Sequence, residues 1–294
     1  MEEASDLLKK VRKIEIKTRG LSRNIFAGEY HSAFKGRGMA FSEVREYQYG
    51  DDIRNIDWNV TARYNTPYIK IFEEERELNV MLVIDISSSR DFGTSVQLKK
   101  NLITEIAAVL SFSAIQNNDK IGVILFSDRI EKFIPPQKGR KHILRIIREL
   151  IEFKPEHSKT DISGALRYLT NALKKRSTAF IISDFIDFED KKPRFEEAMR
   201  IAGNKHDVVA LSIYDKREEE LPPIGLMRMK DAETDQEVWL DSSNKQVRKQ
   251  YRDWFAHTQN ATKDVFTKCG IDYVRVNTQE DYVKPLIQLF KKRG

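Results

Sequence analysis

Short apolar segments of strand length alternate with helical patterns beyond about residue 79, and this alternation constrains the fold more than any other feature. The strand candidates are residues 80–84, 121–126, 178–182, 208–213 and 271–276. The helical patterns are residues 96–116, 141–153, 163–173, 194–201, 245–268 and 282–292. Strands that alternate with helices are joined by right-handed crossovers and form a mainly parallel sheet covered on both faces. The sequence therefore predicts an α/β fold, a Rossmann-like three-layer sandwich with a mainly parallel central sheet.

Three segments add to this simple alternation. Residues 130–134 are expected to pair as an antiparallel edge strand with the strand before them. Residues 222–241 are typical of a β-hairpin inserted before the long helix. The first 78 residues lack the alternation, which predicts an N-terminal extension over residues 1–78 and an α/β domain over residues 79–294.

Polar residues with oxygen side chains follow or precede these elements at three points. Asp85, Ser87 and Ser89 come directly after the first buried strand, Thr160 precedes a helix, and Asp184 follows the strand at 178–182. Loops at the carboxyl ends of parallel strands converge at one edge of the sheet, where open α/β sheets bind ligands. Carboxylate and hydroxyl oxygens suit a hard divalent cation such as Mg2+. The alternative is turn and capping chemistry alone, with Thr160 as a helix N-cap and the two aspartates as loop ends.

With these five residues in this order, the chain resembles a von Willebrand factor A domain. In that family the corresponding positions form the metal-ion-dependent adhesion site. The resemblance implies that Ser87, Ser89 and Thr160 offer hydroxyls to the metal, while Asp85 and Asp184 bind it directly or through water. The expected metal is Mg2+, with Mn2+ or Ca2+ as alternatives. The remaining coordination position would be left for a carboxylate of a partner protein.

The N-terminal extension carries a second and more specific resemblance. Residues 36–63, which read Gly-Arg-Gly-Met-Ala-Phe-Ser-Glu-Val-Arg-Glu-Tyr at their start, resemble the signature of the bacterial family called "domain of unknown function fifty-eight". In that family the signature precedes a von Willebrand A-like domain. The resemblance implies partners of two kinds, MoxR-type AAA+ ATPases and other von Willebrand A proteins. It also implies an adaptor role in protein complex assembly or envelope maturation.

One position departs from the family pattern, because Arg90 follows Ser89 where relatives often have methionine. We expect a guanidinium near the metal loops to steer a carboxylate ligand or to weaken cation binding by repulsion.

The sequence lacks the short motifs of common enzyme classes. It has no phosphate-binding loop, no His-Glu-x-x-His zinc motif, no Gly-x-Ser-x-Gly elbow and no Cys-x-x-Cys pair. Its five histidines are scattered without metal-ligand spacing. We therefore predict a non-enzyme.

No apolar run approaches the ~20 residues needed to span a bilayer. The amino terminus lacks the basic and apolar regions of a secretory signal. The one cysteine, Cys269, is compatible with a reducing compartment. These features predict a cytoplasmic protein, or one held peripherally at the inner membrane through its partners.

The balance of charge raises a rival function. With 51 Lys and Arg against 45 Asp and Glu, the formal net charge is +6, which suggests a basic scaffold that binds nucleic acid or an anionic membrane surface and has no functional metal site. The basic clusters are residues 9–13, 138–141, 174–176 and 291–293. They are dispersed along the chain and lack interleaved aromatic residues for base stacking. The metal-dependent interaction module is therefore the preferred prediction, and no nucleic-acid partner is expected.

Overall fold

A computed structural model describes residues 40–73, 77–91, 98–230 and 237–293, together with positions 11, 12, 14, 15 and 18. The chain divides into two compact units. The small unit lies within Phe34–Leu78, and the large unit comprises Asn79–Gly294 with the described residues of Met1–Ala33. The functional separation of residues 1–78 from residues 79–294 stays a prediction.

The small unit is an antiparallel strand pair with a short helix. Strands β1 (Ala40–Glu46) and β2 (Tyr68–Glu73) pair across a register shift. The Asp57 side chain caps helix α1 (Trp58–Tyr64) by accepting from the N–H of Asn59. The signature carboxylates Asp51 and Asp52 form ion pairs with Arg45 and Arg54 at 2.8 and 2.7 Å, so local charge pairing accounts for them. The first signature residues, 36–39, lie outside the described part of the chain.

The large unit is built on one central sheet. Its strands are β3 (Asn79–Asp85), β4 (Lys120–Phe126), β5 (Ile130–Gln137), β6 (Thr178–Ser183), β9 (Asp207–Tyr214) and β12 (Asp272–Asn277). Two short strands, β7 (Phe188–Glu189) and β8 (Lys192–Pro193), form a separate pair. Its helices are α2 (Lys99–Gln116), α3 (Arg140–Glu152), α4 (Ile162–Ala172), α5 (Glu196–Lys205), α6 (Lys216–Glu219), α7 (Lys245–Cys269) and α8 (Val283–Arg293).

Among the described residues the sheet has six strands in the order β12-β9-β6-β3-β4-β5. All neighbouring pairs are parallel except β4 and β5, which are antiparallel as expected. The predicted Rossmann-like sandwich is therefore confirmed. The chain moves outward from β3 to β4 on one side and later returns to β6 on the other. The strand order thus reverses beside β3, which is the switch point where such sheets bind ligands.

Buried side chains cover both faces of the sheet. On one face, alternate strand residues such as Met81, Val83 and Ile181 pack in a cluster with Leu166 of α4 and Phe266 of α7. The other face includes Phe180, whose ring lies 6.5 Å from that of Phe290 in α8. Central strands that are buried on both faces read as continuous apolar runs, which is why the sequence predicted them well.

The inserted hairpin is also confirmed. Strands β10 (Leu226–Lys230) and β11 (Glu237–Asp241) pair antiparallel, with Leu226 opposite Asp241. In the part of the chain that the structure describes, no helix combines the length and apolar character needed to cross a membrane.

Candidate metal site

The loop after β3 turns sharply and directs its polar side chains toward one another. The Asp85 carboxyl is 4% exposed; its Oδ1 accepts from the N–H of Ser87 at 2.9 Å. A 3-10 turn over Ser88–Asp91 follows. This turn places the Ser87 and Ser89 hydroxyl oxygens 3.1 Å apart. Three of the five predicted residues therefore share one compact loop.

The loop after β6 meets the first loop directly. The Ser183 hydroxyl donates to Asp85 Oδ2 at 2.7 Å and accepts from the N–H of Phe185 at 3.0 Å. Phe185 is buried with a φ of +58°, a conformation that is uncommon for a bulky residue and reverses the chain immediately after Asp184. The Asp184 side chain is 8% exposed, and its Oδ1 accepts from the N–H of Ile186 at 3.2 Å.

The loop before α4 is joined to its neighbours by backbone hydrogen bonds. The N–H of Ser88 donates to the Ser158 carbonyl at 3.1 Å, and the N–H of Asp161 donates to the Ser127 carbonyl at 2.8 Å. Thr160 lies between these two contacts and is 6% exposed. The N-cap of α4 is Asp161, whose side chain accepts from the N–H of Gly164. Thr160 is therefore not the residue that caps this helix.

The buried carboxyls of Asp85 and Asp184 repel each other at the carboxyl edge of the sheet. The pKa of Asp85 is raised to about 6, first by burial and second by the negative charge of Asp184, against hydrogen bonds from Ser183 and Ser87 that lower it. Burial penalises the charged form, and a like charge adds to that penalty. A positive ligand between the two carboxyls would relieve both effects.

A buried lysine reaches the same edge from α2. The Lys99 side chain is 2% exposed, and its Nζ lies 3.3 Å from Asp184 Oδ2 and 2.5 Å from Glu218 Oε1. Burial would lower the pKa of Lys99, but the charges of Asp184 and Glu218 outweigh it and raise the pKa. Burial raises the pKa of Glu218, against the opposing charge of Lys99. The Lys99 ammonium is therefore charged and is part of the polar cluster at the carboxyl edge of the sheet.

Arg90 makes a contact that the sequence did not predict. It is 5% exposed, and its Nη2 donates to the Phe153 carbonyl at 2.6 Å. Phe153 is the C-cap of α3, and a cation at a helix C-terminus interacts favourably with the helix dipole. Lys99, which sequence reasoning missed, is a cation in contact with the Asp184 carboxylate.

The donor chemistry fits a hard divalent cation. Asp85 and Asp184 supply carboxylates, and Ser87, Ser89 and Thr160 supply hydroxyls, which are oxygen ligands that Mg2+ accepts. Among the described residues no group of three or more His, Cys, Asp and Glu side chains could hold a metal. A cation here would therefore depend on the hydroxyls. The assignment of these five residues to a metal stays a prediction.

Two other members of the site were also missed. Ser183 directly precedes the predicted residue Asp184, but the sequence did not indicate its hydrogen bond to Asp85. Glu218 lies on α6, which the sequence did not predict, and Lys99 is one of two adjacent lysines with nothing to distinguish it from Lys100.

The strand order, the antiparallel edge strand and the polar loops at the carboxyl edge define a von Willebrand A-like domain. Residues 43–261 match the model of the family described as "Protein of unknown function DUF58". The chain belongs to the DUF58 family.

Similar proteins cover this chain to different extents. The uncharacterized protein Rv1480 of Mycobacterium tuberculosis is 27% identical over 291 residues, which cover 96% of this chain and 88% of the relative. The uncharacterized protein YeaD of Bacillus subtilis is 28% identical over 109 residues, which cover 37% of this chain and 25% of that protein.

Solved structures are similar to this chain at low sequence identity. An aerotolerance-related membrane protein from Bacteroides fragilis superposes with a TM-score of 0.51 at 14% identity, covering 74% of this chain and 98% of that structure. The SpRpn10 VWA domain gives a TM-score of 0.42 at 12% identity, covering 74% of this chain and 95% of that domain.

Proposed function

We propose that the chain is a metal-dependent protein-interaction module that grips a carboxylate of its partner at the carboxyl edge of the central sheet. The observation that carries the proposal is the proximity of two buried carboxyls, Asp85 and Asp184, to the paired hydroxyls of Ser87 and Ser89. A divalent cation held by these carboxylates and by Ser87, Ser89 and Thr160 would supply a coordination position for the partner's carboxylate. The chain's own residues hold and orient this site, and the proposal assigns none of them a catalytic role.

The residues prepare the site before any ligand arrives. The N–H of Ser87 and the hydroxyl of Ser183 fix both oxygens of Asp85. The backbone hydrogen bond from Ser88 to Ser158 joins the loop after β3 to the loop before α4. A site whose side chains are already oriented loses less conformational freedom on binding than one that must be ordered. The arrangement therefore favours recognition of a small, fixed group such as a single carboxylate.

The kind of partner follows from the family resemblance. We propose that the module works with a MoxR-type AAA+ ATPase, and with other von Willebrand A proteins, in protein complex assembly or envelope maturation. The direct test is retention of a purified MoxR-type ATPase by the immobilised full chain in Mg2+ and in chelator. Retention that is equal in both solutions would contradict metal-dependent binding.

The site itself is tested by thermal unfolding of the full chain and of Asp85→Asn in Mg2+, Mn2+, Ca2+ and chelator. A ligand at a hundred times its dissociation constant adds about 2.7 kcal/mol of stability. For a chain of this size, that raises the unfolding midpoint by roughly 2–4 °C per kcal/mol. We expect this rise in the native chain and its loss in Asp85→Asn, which keeps the size of the side chain and removes one of the two carboxylates.

The matched control is Asp128→Asn. Asp128 lies in the loop after β4, beside His157 at 3.4 Å, and is outside the proposed donor set. This variant should keep the full metal-induced rise. A rise that survives in Asp85→Asn, or that is absent from the native chain with all three metals, would overturn the proposed site.

A further inference from the structure

Lys99 occupies a position that is doubly unfavourable for a cation. It is the first residue of α2, and the N-cap residue Leu98 makes no side-chain capping hydrogen bond. The N-terminus of a helix carries partial positive charge, so a cation there is repelled. The side chain is also 2% exposed, and a buried charge is costly unless it is paired. Its position requires the two carboxylates that surround it.

These two carboxylates do not hold the ammonium equally. Glu218 Oε1 lies at 2.5 Å, whereas Asp184 Oδ2 lies at 3.3 Å. Glu218 is itself fixed, because its Oε2 accepts from the N–H of Asp215 at 2.9 Å in a capping box of α6. Asp215 is in turn fully buried and accepts from the Thr278 hydroxyl at 2.5 Å. The ammonium is therefore anchored on Glu218, and its contact with Asp184 is the weaker of the two.

We propose that Lys99 is a tethered internal cation that competes with the divalent metal for Asp184, and that Glu218 retains the ammonium when the metal takes its place. This inference rests on the proposed metal site and adds the device that sets its affinity. Lys99 balances the negative charge of Asp184 without a metal, and the two cations repel each other when the metal binds. Cation binding thereby breaks the Lys99–Asp184 contact and leaves the Lys99–Glu218 contact in place.

We expect substitutions of Lys99 and of Glu218 to change the metal affinity in opposite directions. Lys99→Met removes the competitor, and it should tighten Mn2+ binding by about tenfold or more because a positive charge a few ångströms away is lost. Glu218→Gln removes the anchor and leaves Asp184 as the remaining carboxylate contact of the ammonium, so it should weaken Mn2+ binding. A purely structural role for the triad would instead weaken binding in both variants.

The experiment is a titration of the full-length variants with Mn2+, with the free ion followed by electron paramagnetic resonance and the fold checked by circular dichroism. Because Lys99→Met leaves two buried carboxylates without their counter-ion, Lys99→Met/Glu218→Gln is included as a variant in which a charged pair is replaced by neutral side chains of similar size. It should also bind Mn2+ more tightly than the native chain. Lys99→Met/Asp85→Asn should lose the binding and so locate the ion.

Each outcome separates the inference from the proposed function. Equal Mn2+ affinity in the native chain, Lys99→Met and the paired variant, with loss in Asp85→Asn, would overturn the role of Lys99 and leave the metal site standing. Absence of Mn2+ binding in every variant would overturn both. Binding that appears in the Lys99 variants and is weak in the native chain would support the inference most directly.

Discussion

His206 is a fully buried histidine at the end of α5, and within the described structure neither ring nitrogen has a hydrogen-bond partner. Burial, and then the positive charges of Lys205 and Arg176, lower its pKa to about 4. A buried polar ring without partners favours the neutral form, since the charged form would need compensation that the surroundings do not give. The folded chain therefore resists protonation at a pH where the unfolded chain accepts a proton.

This difference predicts a loss of stability in mild acid. Above pH 6.5 His206 is neutral in both states and has no effect on the pH dependence. Between pH 6.5 and about 4 the unfolded state binds a proton at this histidine and the folded state does not. The free energy of unfolding therefore falls as the pH is lowered, by an amount approaching about 3 kcal/mol. His206→Leu should flatten this part of the profile, as measured by urea unfolding at a series of pH values. His257→Leu, on the exposed face of α7, is the comparison variant, and an unaltered slope in His206→Leu would contradict the assignment.

Individual site residues differed in how well the sequence revealed them. Asp85 and Asp184 were predictable because each follows a long apolar run, and the end of a buried strand fixes where the next residues lie. Lys99 and Glu218 were not, because the contacts that define them join residues 85 and 119 positions apart. Local pattern carries no information about such pairs, and only the packing of α2 and α6 over the sheet brings them together.

At the scale of elements, the strands and long helices of the large unit were predicted to within four residues at each end. The short elements α6, β7 and β8 were missed, and β1, α1 and β2 of the small unit were not predicted. Helix α6 and strands β7 and β8 have four, two and two residues, too few to show a period. Helix α7 ends at Cys269, and the next residue, Gly270, adopts a left-handed φ of +65°, as a helix C-cap glycine does. The edge strand β5 continues to Gln137, three residues past its predicted end, and includes Pro135 and Pro136.

The register shift between β4 and β5 depends on a glycine. Gly122 lies where the pairing of β4 and β5 is irregular, and a Cβ there would come within 2.7 Å of the Ile134 carbonyl oxygen and 2.8 Å of the Pro136 nitrogen. Both atoms belong to backbone, which cannot move aside as a side chain can. Gly122→Ala should therefore destabilise the chain by roughly 1–3 kcal/mol, measured by chemical unfolding.

Gly203→Ala is the matched comparison. Its Cβ would meet only the tip of the Ile271 side chain at 2.8 Å, which can rotate, and Gly203 lies inside helix α5. Alanine is favoured over glycine in a helix by about 1 kcal/mol, so this variant should be neutral or stabilising. Equal destabilisation by both substitutions would show that backbone crowding at Gly122 is not the cause.

Viewed as a whole, the large unit has its described basic clusters at one edge of the sheet. Residues 138–141 follow Gln137, which pairs with Ile121 at the start of β4, and residues 174–176 precede β6. Arg293 ends the third cluster and forms ion pairs with Asp207 and Asp272, the first residues of β9 and β12. The described basic clusters, which look dispersed in the sequence, therefore lie at the amino edge, opposite the candidate metal site. Of the cluster at residues 9–13, most lies outside the described residues.

This arrangement predicts where an anionic surface would bind. Basic residues near an anionic membrane contribute about 1 kcal/mol each, and salt screens them. Lys174→Gln/Lys175→Gln should lower the fraction that co-sediments with phosphatidylserine vesicles at low salt. Lys216→Gln/Arg217→Gln removes the same charge from the carboxyl edge and should have little effect. Equal losses in the two variants would show that no particular edge is responsible.

The two prolines of β5 affect how readily the protein aggregates through the edge of its sheet. An outermost strand presents unpaired backbone groups that can template a strand of another molecule, which is a common start of aggregation. Pro135 and Pro136 have no N–H to offer, and the irregular pairing opposite Gly122 bends the strand at the same place. The β5 side of the sheet is therefore a poor template for growth, which should help the protein to stay dispersed at high concentration.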